Sequence, residues 1–130
     1  TTTVTLPTTG TLSTLAGSET LTNKAITKRV TTIGSSATPS PSAATDDAYT
    51  VTALAVGATF GSPGTGTEMQ GLIIRIKDNG TSRTLAWNGI YRFSADIPAP
   101  AATIASATLY LGFIYNSADS KWDCVSKINF

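Results

Sequence analysis

From residue 46 onward, apolar and polar positions alternate with a period of two, the signature of half-buried strands. Tyr49–Ala53 alternates in this way, and Val56–Phe60 follows after a bend at Gly57. The strongest pattern is Leu72–Lys77, with Leu72, Ile74 and Ile76 on one face and Ile73, Arg75 and Lys77 on the other. Asp78-Asn79-Gly80 tolerates positive φ and predicts a hairpin into a return strand over Thr81–Trp87. Asn88-Gly89 predicts a second tight turn, leading into Ile90–Phe93. Asp96–Pro100 reads as a corner whose prolines suit a sheet edge. Thr108–Tyr115 is a strand rich in aromatic and aliphatic residues, Asn116–Ser120 a polar loop, and Trp122–Phe130 the final strand. Alternation in that last strand predicts Trp122, Cys124, Ser126 and Ile128 on one face, with Asp123, Val125 and Lys127 on the other. No segment carries a capped 3.6-residue period, so the expected class is all-β.

About seven short strands must close on themselves, because one open sheet would leave an apolar face wet. The expectation is a small antiparallel β-sandwich, jelly-roll-like, over residues 46–130. Its predicted core is Leu72, Ile74, Ile76, Leu85, Trp87, Leu109, Leu111 and Trp122, each worth roughly 1.5–3 kcal/mol when buried.

The pattern before residue 34 is different. Residues 1–33 are dominated by Thr, with isolated apolar residues and no aromatic. Threonine is β-branched and favours extended backbone, yet such a segment buries too little to offset its own ordering entropy. It predicts an extended arm that becomes ordered when identical copies pool Leu12, Leu15, Leu21, Ile26, Val30 and Ile33 into a shared seam; a disordered linker is the alternative. Residues 34–45 (GSSATPSPSAAT) carry Pro39 and Pro41, which remove backbone donors, and predict a linker between arm and domain.

Composition narrows the chemistry. The 130 residues include 24 Thr and 13 Ser, one Cys and no His, so a His-based triad, Cys-His pair or His-ligated metal cannot form within the chain. One Cys makes no intramolecular disulfide and no thiolate zinc site. A net charge of +1 gives no strong field toward nucleic acid or an anionic membrane, and no apolar stretch is long enough to span a bilayer. Asp46 and Asp47 are adjacent, and Asp78, Asp96, Asp119 and Asp123 sit at turns, where acids ordinarily cap backbone amides. Gly61–Gly66 lacks the Lys-Ser/Thr of a phosphate loop. Neither a catalytic residue nor a cofactor or metal site is expected. Cys124 reads as a core thiol. Several aromatics together would make a sugar-stacking platform if exposed, and Tyr91 and Tyr115, nearest the turns, are the ones expected to reach solvent.

Some residues carry a more specific signal. Thr14–Thr27, TLAGSETLTNKAIT, resembles the TLAGTETLTNKTLT segment that recurs in tail-fibre and related virion proteins of tailed bacteriophages. Tyr49–Ala55, Leu72–Thr81 (LIIRIKDNGT), Leu85–Asn88, Leu109–Asn116 and Lys121–Asp123 resemble a structural module of the same group. The resemblance implies a non-enzymatic virion component synthesised in the host cytoplasm. It further implies a homotrimer with a β-sandwich head on an intertwined Thr-rich stalk, acting near host attachment. Its partners would be copies of itself, other virion proteins and a host cell-surface glycan or protein, with no nucleic acid and no membrane insertion. Binding is then expected from loops at one end, at Gly61, Gly64 and Gly66, at Asn88 and Tyr91, and at Tyr115, Asn116 and Lys121. The rival readings are a capsid decoration or head-fibre protein docking through its arm, and a free carbohydrate-binding module.

Overall fold

A computed structural model describes residues 25–130. Eight strands follow in chain order: β1 (Val30–Ile33), β2 (Ala48–Leu54), β3 (Ala58–Phe60), β4 (Gly71–Asp78), β5 (Leu85–Trp87), β6 (Tyr91–Arg92), β7 (Thr108–Asn116) and β8 (Lys121–Asn129). No helix occurs among the described residues, as the absence of a 3.6-residue period predicts.

Six strands form one mixed sheet in the order β1-β2-β4-β7-β8-β6, and β3 and β5 pair in a second, two-stranded sheet. The expected antiparallel arrangement is corrected here. Only β4–β7 and β7–β8 are antiparallel, whereas β1–β2, β2–β4, β6–β8 and β3–β5 are parallel. Parallel neighbours need a crossover of about a dozen residues or more between them. Residues 34–47 are that crossover for β1 and β2. They lie on the domain: Pro39, Pro41 and Ala43 are buried, the carbonyls of Ala37 and Pro39 accept from Thr59 and Gly61, and Ala43 donates to Pro63. Pro39 fits because only its carbonyl is used. The expected boundaries at residues 33/34 and 45/46 therefore fall inside one packed unit, with β1 as an edge strand of its sheet.

The hairpin expected at Asp78-Asn79-Gly80 is also corrected. The turn exists, with Gly80 at φ 111° and its N–H donating to Asp78 at 2.8 Å, but it does not join neighbouring strands. Both edges of β4 are occupied, by β2 and β7, so the chain leaves the sheet and β5 pairs with β3. The return strand shrinks to Leu85–Trp87.

Alternation decides the inner face. In β4, Leu72, Ile74, Ile76 and Asp78 are buried, and in β7 Leu109, Leu111, Phe113 and Tyr115. Ala58, Phe60 and Leu85 of the small sheet join them in one hydrophobic cluster. Seven of the eight predicted core residues are buried; Trp87 is half-buried and stacks on Phe60 at 4.6 Å between ring centroids. One face assignment changes. Phe113 lies opposite Cys124 but Gly112 lies opposite Ser126, so Val125 is an extra residue, a β-bulge. One residue of slip flips all that follows. Ser126 and Ile128, expected inside with Trp122 and Cys124, therefore line the outer face.

Candidate functional site

The three loops expected to face a receptor come together. The 61–66 loop precedes β4, the Asn88-Gly89 turn precedes β6, and the 116–120 loop joins β7 to β8, which sets all three at one end of the six-stranded sheet. Local chemistry shapes each. Gly64 has φ 83°, a region favouring glycine, in the open 61–66 loop. Asn88 closes its turn twice, its carbonyl accepting from Tyr91 N–H at 3.0 Å and its side chain from Ile90 N–H at 3.0 Å. Asn116 accepts from Asp119 N–H at 3.2 Å.

Long-range bonds then lock the loops to each other. The Trp122 indole N–H donates to Gly64 carbonyl at 3.0 Å, and the Tyr91 hydroxyl donates to Gly61 carbonyl at 3.0 Å. Lys121 Nζ donates to Gly89 carbonyl at 2.6 Å. Glu68 accepts from Ser117 N–H at 2.7 Å, and these Ser117 hydrogen bonds hold its carboxyl below the ordinary range. Gly66 sits so close to Tyr115 and Trp122 that a Cβ there would meet both rings at 2.8 Å. Glycine is required at that point by space.

Tyr91 and Tyr115 do not reach solvent. Both are buried, Tyr91 against Phe113 at 5.0 Å and Tyr115 against Trp122 at 5.1 Å, because their strands direct them inward. Burial pushes the Tyr91 phenol up from its usual value. Their role is to support the loops from below. The outward-facing groups are Ser62, Gly64, Thr65, Thr67, Asn88, Gly89 and Ser117–Ser120. Of the expected arm residues, Ile26 and Val30 are exposed and Ile33 is half-buried at the edge of the core; Leu12, Leu15 and Leu21 lie outside the described residues.

Arg92 was not among the residues expected at the loops. It is the hinge of an ionic knot beside the loops. Its Nε and Nη2 grip both oxygens of Asp123 at 2.6 and 2.7 Å, and Nη1 reaches Asp119 at 2.7 Å. Asn116 Nδ2 adds bonds to both acids. The Arg92 guanidinium holds Asp123 below the ordinary carboxylate range despite its partial burial, and the two acids raise Arg92. No local sequence signal marks this group, since its partners lie 27 and 31 residues away.

Of the acids expected to cap turns, Asp78 does so, whereas the Asp119 and Asp123 carboxylates accept from the Arg92 and Asn116 side chains instead. Asp78 is buried and accepts from Thr103 Oγ1 at 2.6 Å, Gly80 N–H at 2.8 Å and Ser106 N–H at 3.0 Å. Burial alone would raise its pKa, but these donors together hold it below 3.8. Asp46 accepts from Ser42 N–H and Thr31 Oγ1, and Asp47 is held at about 2 by Arg29. Burial pushes the Cys124 thiol up, which opposes thiolate formation. Among the described residues there is no group of three His, Cys, Asp or Glu side chains placed to hold a metal ion.

No family model matches the chain, and no curated protein matches it. Among solved structures, a chain described under "Structure of a chaperone-substrate complex" is similar at 17% identity and a TM-score of 0.45. The similarity covers 68% of this chain and 15% of that one.

Proposed function

We propose that this protein is a non-catalytic structural component of a tailed-phage particle, a homotrimeric tail-fibre or tail-tip module. A sandwich-like head follows a Thr-rich arm, and the head's loop cluster makes the adhesive contact with a host-surface glycan or protein. The observation that carries the reading is the convergence of the 61–66, 88–89 and 116–120 loops into one braced, polar surface. Rigid support beneath short exposed loops suits recognition. The resemblance of Thr14–Thr27 and of the β4 segment to phage fibre sequences supplies the biological setting.

The capsid-decoration reading has one observation in its favour. Strand β1 begins toward the same end of the sheet as the loop cluster, since Val30 lies level with Ile73, near the start of β4. Arm and loops would then approach the particle together. The sugar-module reading is weakened, because Tyr91, Tyr115 and Trp122 are buried and Trp87 is half-buried, leaving no stacking platform at the loops.

Two measurements test the proposal. Native mass measurement of the full chain at micromolar concentration is expected to return three times 13.4 kDa, and a monomer overturns it. Gold-labelled antibody on virions is expected at the tail. Label distributed over the capsid selects the decoration reading instead.

A further inference from the structure

The face of the six-stranded sheet turned away from the core has an unusual make-up. Cross-strand registers define its rows. Val30, Ala48, Ile73, Gly112 and Ser126 lie side by side across β1, β2, β4, β7 and β8, an uncharged row over five strands. The next row is Thr32, Thr50, Arg75, Tyr110 and Ile128. Of the nine large apolar side chains exposed among the described residues, five (Val30, Ile73, Val125, Ile128 and Phe130) belong to this face. A sheet face meant for water ordinarily alternates to polar side chains.

Three features make it more than a scatter of exposed residues. First, the Val125 bulge turns Ile128 outward, and Phe130 packs edge-on against Tyr110 at 5.9 Å. Second, Gly112 contributes no side chain at the centre of β7, where Ser126 Oγ lies 2.5 Å from the place a Cβ would take, and a groove of about 630 Å³ opens between Ile73, Tyr110, Ile128 and Phe130. Third, Arg75 is half-buried beside Tyr110 and has no hydrogen-bond acceptor or ion pair among the described residues. Ile, Phe, Tyr and Arg around a small-residue floor match the core of a protein interface.

We propose that this outer sheet face is the surface each copy presents to a second copy of this chain. The inference rests on the oligomeric reading above and assigns the contact surface that reading lacks. The uncharged row starts at Val30, itself one of the residues expected in the shared seam, on edge strand β1. Area points the same way. Five strands about 4.8 Å apart and seven residues at about 3.3 Å rise make a face of roughly 500 Å². A stable interface takes about 800 Å² per partner. The face supplies most of that. In a three-fold ring the contact is heterologous, so the acceptor for Arg75 comes from a different surface of the neighbour.

The test compares native mass and sedimentation of the full chain with those of Ile73→Glu and Ser126→Arg, both outward-facing. The expected result is an oligomeric wild type, with both variants shifted at least tenfold toward monomer at the same concentration and their far-UV spectra unchanged. Ser126 makes no side-chain hydrogen bond among the described residues, so its variant reports even where Ile73→Glu fails to fold. An oligomeric wild type with an equally oligomeric, folded Ser126→Arg overturns the face and leaves the arm seam standing. A monomeric wild type overturns both.

Discussion

Trp122 and Gly64, 58 residues apart, are joined by a 3.0 Å hydrogen bond from the indole N–H to the glycine carbonyl. Trp122 is fully buried, so one side chain both fills the core and pins the exposed 61–66 loop. Trp122→Phe keeps a ring but drops the bond and is expected to cost about 1–3 kcal/mol. Urea unfolding measures the cost. Amide exchange in residues 61–66 is expected to rise more than in β4, because only the loop loses its anchor.

Gly66 and Gly71 make a matched pair. A methyl at Gly66 meets the rings of Tyr115 and Trp122 at 2.8 Å, whereas one at Gly71 meets nothing within 4 Å. Gly66→Ala is expected to destabilise by about 1–3 kcal/mol through overpacking. Gly71→Ala is expected to stay within about 0.5 kcal/mol of the parent. Thermal melts of the two single variants check the contrast, and equal melting temperatures would contradict the packing seen at Gly66.

Acid sensitivity follows from Asp78. Its folded-state pKa lies below 3.8, so the carboxylate form stabilises the fold above the unfolded value, and that stability is lost as pH falls through the folded value. Asp47, at about 2, and Asp123 act in the same direction. With no histidine, melting temperature is expected to be flat from pH 8 to about pH 5 and to fall below pH 4. Asp78→Ala leaves the N–H groups of Gly80 and Ser106 without their acceptor and is expected to cost about 1–3 kcal/mol at pH 7. Its melting temperature should also depend less steeply on acid. Calorimetry across pH reads both effects.

Arg92 grips Asp123 through two nitrogens and Asp119 through a third. A lysine keeps the charge but not the planar fork. Arg92→Lys is therefore expected to leave global stability nearly unchanged, since the site is exposed, while speeding amide exchange in the 116–120 loop. Exchange at unchanged rate in that loop would mean the ionic knot contributes nothing to its order.

The strands of the large sheet were legible because alternation is local. Leu72, Ile74 and Ile76 announce an inward face whatever lies beside them. The loops were legible for the same reason, since Asn88-Gly89 and Asn116–Ser120 carry turn chemistry in a few adjacent residues. Arg92 was not, because its partners are distant in sequence. Tyr91 and Tyr115 were misplaced because proximity to a turn does not tell which way a strand side chain points.

By itself, then, the amino-acid order determined that this is a helix-free chain of short strands with a definite inner face, and that histidine chemistry is closed to it. Tertiary structure decided which strands are neighbours, which of them run parallel, and that residues 34–47 are a packed crossover. It also set the bulge at Val125, which sends Ile128 outward, and gathered three loops at one end of the sheet. Period-two alternation is a property of adjacent residues. Pairing, register and convergence arise only when segments far apart compete for the same edges and the same core.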